Sequence, residues 1–273
     1  MSKDDRLLGP TWWTAVIIVP VLIAAFAILY FFPTRTPQLW AWTIAPPMTA
    51  MVMGGGYLSG AYLFTRVLSD RRWHRVGVAF VSTTVFTSFL LAATVRHWDR
   101  FNHDHVSFWA WILLYAITPP LLPWLWARNR RTDPGVPDDD DVALGRPLRI
   151  AVAGTGAMML GVAVLLWAAP GQLTPHWPWM LTPLTVRTIA AFIAFPAVTF
   201  LGVLFEDRWS CFRIPFQTAT VGLLLVGVAA VVRRDDLQGP RSSVVLFTAS
   251  LATMITVLLG LQLVLNRRAR AAT

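Results

Sequence analysis

Lysine occurs once, at Lys3, and cysteine once, at Cys211, in a chain of 273 residues. A lone thiol leaves no intramolecular disulfide, and the sequence predicts Cys211 in a reducing cytoplasmic turn. With its only lysine outside every apolar run, the chain lacks the amine of a retinal-type site. Charge is scarce: 14% of residues are Asp, Glu, Lys or Arg, against about 25% in a soluble domain. No Asp, Glu, Lys or His lies at the centre of an apolar run, which argues against ion-coupled pumps, whose ionisable groups sit near mid-membrane. The alternating ten-residue segments of a transmembrane barrel are missing as well.

Length of apolar sequence is abundant. The chain is 56% hydrophobic with a mean hydropathy of +0.56. Runs that can cross about 30 Å of hydrocarbon, roughly 20 residues each, fall at 12–32, 46–68, 76–95, 106–127, 148–168, 182–205, 213–232 and 243–265. The expectation is an all-α polytopic membrane protein with eight transmembrane helices. The first run follows Lys3 and Arg6 as a secretory signal would, but it is longer than a cleavable apolar region and recurs in mid-chain, so it is read as a retained helix.

A shift of about 137 residues lays the chain on itself. Pro33, Trp40, Trp42 and Pro46 meet Pro170, Trp177, Trp179 and Pro183; Asp70-Arg71 meets Asp207-Arg208. After one skipped residue, Trp73 meets Trp209; then Arg96, Asp99 and Asn129-Arg130-Arg131 meet Arg233, Asp236 and Asn266-Arg267-Arg268. Such self-similarity marks an internal repeat. Four helices per copy make the repeats parallel, with an axis along the membrane normal. The domain reading is a first repeat over 1–131, an acidic linker over 132–146 and a second repeat over 147–273.

The cations orient the bundle. Of 23 Lys and Arg residues, seven fall after helices 1, 3, 5 and 7 (Arg35, Arg96, Arg100, Arg187, Arg233, Arg234 and Arg241), leaving sixteen for the termini and the other turns. By the positive-inside rule both termini are expected in the cytoplasm. The net charge of +9 then reads as topology and attraction to anionic headgroups. Nucleic acid is not an expected partner, because the arginines are spread over many short turns. The linker, with Asp138-Asp139-Asp140-Asp141, reads as a mobile solvated spacer. Twenty-two arginines against one lysine, with 14 tryptophans, suit a bacterial plasma membrane.

Candidate functional residues concentrate where the repeats differ. Residues 96–105 hold three of the five histidines, with Asp99 and Asp104, whereas the counterpart segment 233–241 has no histidine. His97, His103, His105 and Asp104 are a candidate divalent-metal set. A haem would need facing histidines, such as His97 with His105 or His176. Acid-base chemistry by His97 or His103 with an aspartate is a further reading, and a solvated polar turn is the plain one. Thr84, Thr87 and Ser88 share one helix face and read as interhelical packing or a polar pathway. Trp40 and Trp42 read as interfacial anchors or as the aromatic lining of a binding site; Trp73 and Trp209 read as interfacial rings. Gly56 and Gly60 form a GxxxG pair that predicts a tight neighbour for helix 2 that helix 6 lacks. Pro119, Pro120 and Pro123 predict a kinked helix 4.

The functional expectation is an outward-facing cavity near helices 3 and 4 that handles a small molecule or lipid, with Arg96, His97, Asp99, Trp40, Trp42, Thr84, Thr87 and Ser88 as candidate binding residues. A membrane-embedded enzyme or metal or haem protein using His97–His105, and a scaffold that binds another membrane protein, are the alternatives.

Overall fold

The computed structural model describes residues 3–138 and 141–271 and contains helices and turns, with no named strand among those residues. Eight long helices are numbered here in chain order. They are α1 (Gly9–Phe26, continued by a π turn over Ala27–Phe31), α2 (Pro47–Asp70), α3 (Gly77–Arg96), α4 (Val106–Asn129), α5 (Arg146–Ala168), α6 (Pro183–Leu201), α7 (Trp209–Val232) and α8 (Arg241–Ala271). Seven of them are long and apolar enough to cross a membrane. The exception is α2, whose glycines, hydroxyls and tyrosines dilute its hydropathy although it has 24 residues, about 36 Å at the helical rise.

Each start has a local chemical reason. Pro10, Pro47, Pro147 and Pro183 stand in the first turns of α1, α2, α5 and α6, where a missing N–H costs no helical bond. Thr182 and Thr185 form a reciprocal capping box at α6, and the His105 side chain accepts the Ser107 N–H at α4. Met48 of α2 instead donates its N–H across the bundle to Asp236 Oδ2 at 2.9 Å. α7 begins four residues before the expected run, which puts Cys211 in its first turn and buries it rather than leaving it in a loop. α4 runs unbroken through Pro119, Pro120 and Pro123.

The pairing of helices repeats across the halves. Within each half the first helix packs on the second and the third on the fourth, as α1 on α2 and α5 on α6, and α3 on α4 and α7 on α8. Between halves α2 packs on α7 and α3 on α6. Three consecutive glycines let α2 sit in the middle. A Cβ on Gly54 would lie 3.0 Å from the Tyr30 N, one on Gly55 2.9 Å from Leu225 Cβ, and one on Gly56 would collide with the Phe192 ring. α6 is approached as closely, contrary to the GxxxG expectation, but through its neighbour's glycine: a Cβ on Gly156 of α5 would lie 2.8 Å from the Ala197 carbonyl.

The segment before α1 and the segment before α5 dock alike at the end that holds both termini. Leu7 N–H bonds to Arg71 O and Trp73 N–H to Asp5 O; Leu144 N–H bonds to Asp207 O and Trp209 N–H to Val142 O. Asp5 takes the His74 N–H and imidazole, and Asp141 takes the Ser210 N–H and hydroxyl. At the opposite end Asn102 N–H bonds to Ala41 O and Gly239 N–H to Pro178 O.

These contacts correct the reading of the linker as a mobile spacer. Asp138 pairs with Arg72 and Arg75 at 2.8 Å each, and Asp133 pairs with Arg208 at 2.9 Å. Carboxylates that meet buried or half-buried guanidiniums are held by charge-assisted hydrogen bonds rather than solvated. Asp139 and Asp140 lie outside the described residues. Trp73 and Trp209 are 2% exposed each, inside the bundle rather than in an interfacial ring.

Candidate functional site

A cavity of about 450 Å³ lies between the halves, lined from all eight helices. α3 and α4 give it one wall through Thr83, Phe86, Thr87, Leu114, Tyr115, Thr118 and Leu122; α6, α7 and α8 face them with Phe192, Phe195, Leu223, Val226, Leu251 and Met254. Its few polar groups are largely spent inside the protein. Thr83, Thr87, Thr118 and Thr218 hydroxyls donate to backbone carbonyls of the preceding turn, and the Tyr57 and Tyr115 hydroxyls bond to each other at 2.9 Å. A space so lined offers dispersion contact and little competition from water, the setting for an apolar guest.

The Trp-x-Trp segments turn inward, which corrects the anchoring expectation. Trp40 and Trp42 are 7% and 3% exposed. They join Phe101, Trp111 and Tyr57 in a cluster of edge-on and tilted rings with centroids 4.8 to 6.2 Å apart. Trp177 and Trp179 line the cavity, and the Trp179 N–H bonds to Thr49 at 2.9 Å. Prolines flank each segment, Pro37 and Pro46 on one and Pro175 and Pro183 on the other, and Trp40, Trp42 and Trp179 pack into the bundle.

The other predicted residues are dispersed. Thr87 reaches the cavity, Thr84 is half-buried and bonded to Phe80 O at 2.8 Å, and Ser88 is exposed. Ser82, on the same helix, makes the true interhelical bond, to Thr199 at 2.8 Å. His103 lies 5.1 Å from the Trp98 ring and 4.6 Å from the Phe108 ring, and His105 is held by Ser107. Asp99, Asp104 and His176 are exposed. His97, His103, His105 and Asp104 do not converge: no group of three or more His, Cys, Asp or Glu among the described residues could hold a metal ion. His97 and His105 have separate hydrogen-bonding partners, Arg187 and Ser107.

The partner of His97 is a residue the sequence reading passed over. Arg187, in the second turn of α6, is 4% exposed; its guanidinium approaches His97 Nε2 at 2.8 Å and the Pro183 carbonyl at 3.2 Å, with Trp167 5.7 Å away. Burial and the cations Arg187, Arg96 and Arg100 lower the His97 pKa, which favours the neutral ring, whose Nε2 can accept from the guanidinium. A signal for Arg187 exists in the sequence: at the shift of 137 residues it stands opposite Ala50.

At the terminal end, Arg208 holds Glu206 at 2.6 Å and Asp133 at 2.9 Å. Those bonds raise the Arg208 pKa despite burial. Burial pushes the Asp133 and Glu206 carboxyls up, but the Arg208 hydrogen bonds outweigh it and both stand below their ordinary values.

All-helical architecture and long apolar helices define the class: a protein built for a lipid bilayer. No protein-family model, curated protein or solved structure matches the chain.

Proposed function

We propose that this chain is a multi-pass protein of a bacterial plasma membrane that holds an apolar small molecule or a lipid chain in the cavity between two parallel four-helix repeats. On this reading all eight long helices cross the bilayer and both termini are cytoplasmic. The observation that carries it is the 450 Å³ cavity, apolar on every side and assembled from both halves. Recurrence of the Leu7/Leu144 and Asn102/Gly239 backbone bonds at offsets of 136 to 137 supports the repeat, and α2, enclosed by α1, α6 and α7, is supported as a crossing by length rather than hydropathy.

Ser250, exposed on α8 and on the cavity wall, is the place to block it without rebuilding the core. Protein purified in mild detergent should carry a copurifying apolar molecule visible by native mass spectrometry, and Ser250→Trp should lose it with an unchanged melting temperature. Equal occupancy in wild type and Ser250→Trp, or none in either, would overturn the proposal. A C-terminal reporter that proves extracellular would overturn the orientation.

A further inference from the structure

Arg187 is a cation buried without a counter-ion. Its Nε has no acceptor, and none of the ion pairs among the described residues includes it. The His97 imidazole and the Pro183 carbonyl are its only hydrogen-bonding partners among the described residues. Desolvating a guanidinium with so little compensation is unfavourable. Other groups nearby do not relieve it: Arg96 adds a repulsive charge to Arg187, and Arg96 and Arg100 both repel the charged form of His97. Asp99 and Asp104, the carboxylates of the same turn, make no ion pair among the described residues and are exposed. By contrast, the terminal end balances its buried Arg208 with two carboxylates.

We infer that Arg187, with His97 and Arg96, forms a binding site for a phosphate-type oxyanion at the bundle end opposite the termini. A tetrahedral oxyanion supplies what the corner lacks: acceptors for the free Nε–H and for a second guanidinium N–H in the forked geometry that arginine favours. His97 can turn from acceptor to donor by taking a proton when the anion arrives, because the negative charge offsets the surrounding arginines. Trp167 covers the guanidinium, which excludes water and strengthens the pairing. The start of α6, the positive end of its dipole, adds to the attraction. Two sources carry this chemistry, the phosphodiester of an anionic phospholipid and free inorganic phosphate. The site is separate from the central cavity, since neither Arg187 nor His97 lines it, so its occupancy does not depend on the cavity's guest.

The full chain in phosphatidylcholine nanodiscs is the starting material. In one arm phosphatidylglycerol replaces part of the lipid, and in the other inorganic phosphate is added; melting temperature and, by native mass spectrometry, retained phosphatidylglycerol are read for wild type, Arg187→Gln and Arg187→Lys. Stabilisation in the first arm alone assigns a lipid headgroup; stabilisation by phosphate as well assigns a free anion. In either case Arg187→Gln should weaken binding by about tenfold or more, as loss of a charge-assisted hydrogen bond implies, and Arg187→Lys should retain part of it. Arg96→Gln, at an exposed position, gives a smaller loss of affinity and keeps the test open if Arg187→Gln does not fold. Absence of stabilisation in both arms, or an Arg187→Gln protein that binds as wild type does, would overturn the site.

Discussion

The two halves pair their helices alike, yet they balance charge and close their ends by different means. At the terminal end the two docked segments make corresponding backbone bonds, but Arg72, beside the first, is a 45% exposed side chain on Asp5 and Asp138, whereas Arg208, beside the second, is 8% exposed between Glu206 and Asp133. At the opposite end the Ala41–Asn102 contact has room for a side chain; its partner, Pro178–Gly239, does not. The α2 start borrows Asp236 from the second half, while α6 caps itself with Thr182, and Asp99, the residue aligned with Asp236, makes no such cap. Backbone pairing has persisted where side chains have diverged, because backbone bonds need only the chain's course, whereas charge balance depends on which residues the packing encloses.

The largest effect expected from breaking this comparison is at Arg208. Arg208→Ala strands two carboxylates in a partly buried site and should cost about 3–5 kcal/mol, whereas Arg72→Ala at the more exposed position should cost under about 1 kcal/mol. Denaturation monitored in one lipid-detergent system tests the pair, and equal losses would sink the distinction. The same site sets an acid limit. Asp133 and Glu206 have folded pKa values below their unfolded ones, so their contribution is complete above the ordinary carboxylate range and is lost as pH falls through the depressed values, below about pH 4. Wild type should lose stability there, and Arg208→Ala should show a shallower acid loss.

A smaller difference should sharpen the opposite end. Gly239→Ala places a Cβ 2.8 Å from the Pro178 carbonyl and against that of Trp177; backbone cannot rotate away as a side chain can, so a cost of about 1–3 kcal/mol is expected. Asn102→Ala, at the corresponding and exposed position, should stay within about 0.5 kcal/mol. Similar melting temperatures for the two variants would show that the contact is not tight.

Much of the helical layout was legible before any coordinates, because an apolar run of 20 residues has few alternatives to a helix. α2 to α5 match the expected runs to within about two residues at either end, and α1 with its π turn to within about three, while α6 stops four residues short, α7 starts four residues early through polar residues that hydropathy discounts, and α8 runs six residues further. The site was less legible. Residues 96–105 stood out by composition, but His103 and His105 serve local packing and capping, and only His97 faces another half-site residue. Arg187 was hidden among the cations that orient the bundle. The tryptophans depart from expectation because the preference of indole for the interface describes rings that reach it, and Trp40, Trp42 and Trp179 are buried among other side chains.

Composition and spacing alone make the chain helical, apolar along its length and richer in cations on alternate turns, with residues that recur at a shift of about 137. Both act on each segment separately. Packing in three dimensions is what encloses α2, pins the linker through Arg72, Arg75 and Arg208, leaves a cavity between the halves and buries Arg187 beside His97 with no carboxylate paired to it among the described residues. Burial and charge compensation belong to pairs of residues from distant parts of the chain, 90 positions apart for Arg187 and His97, and no local pattern records which pairs the packing brings together.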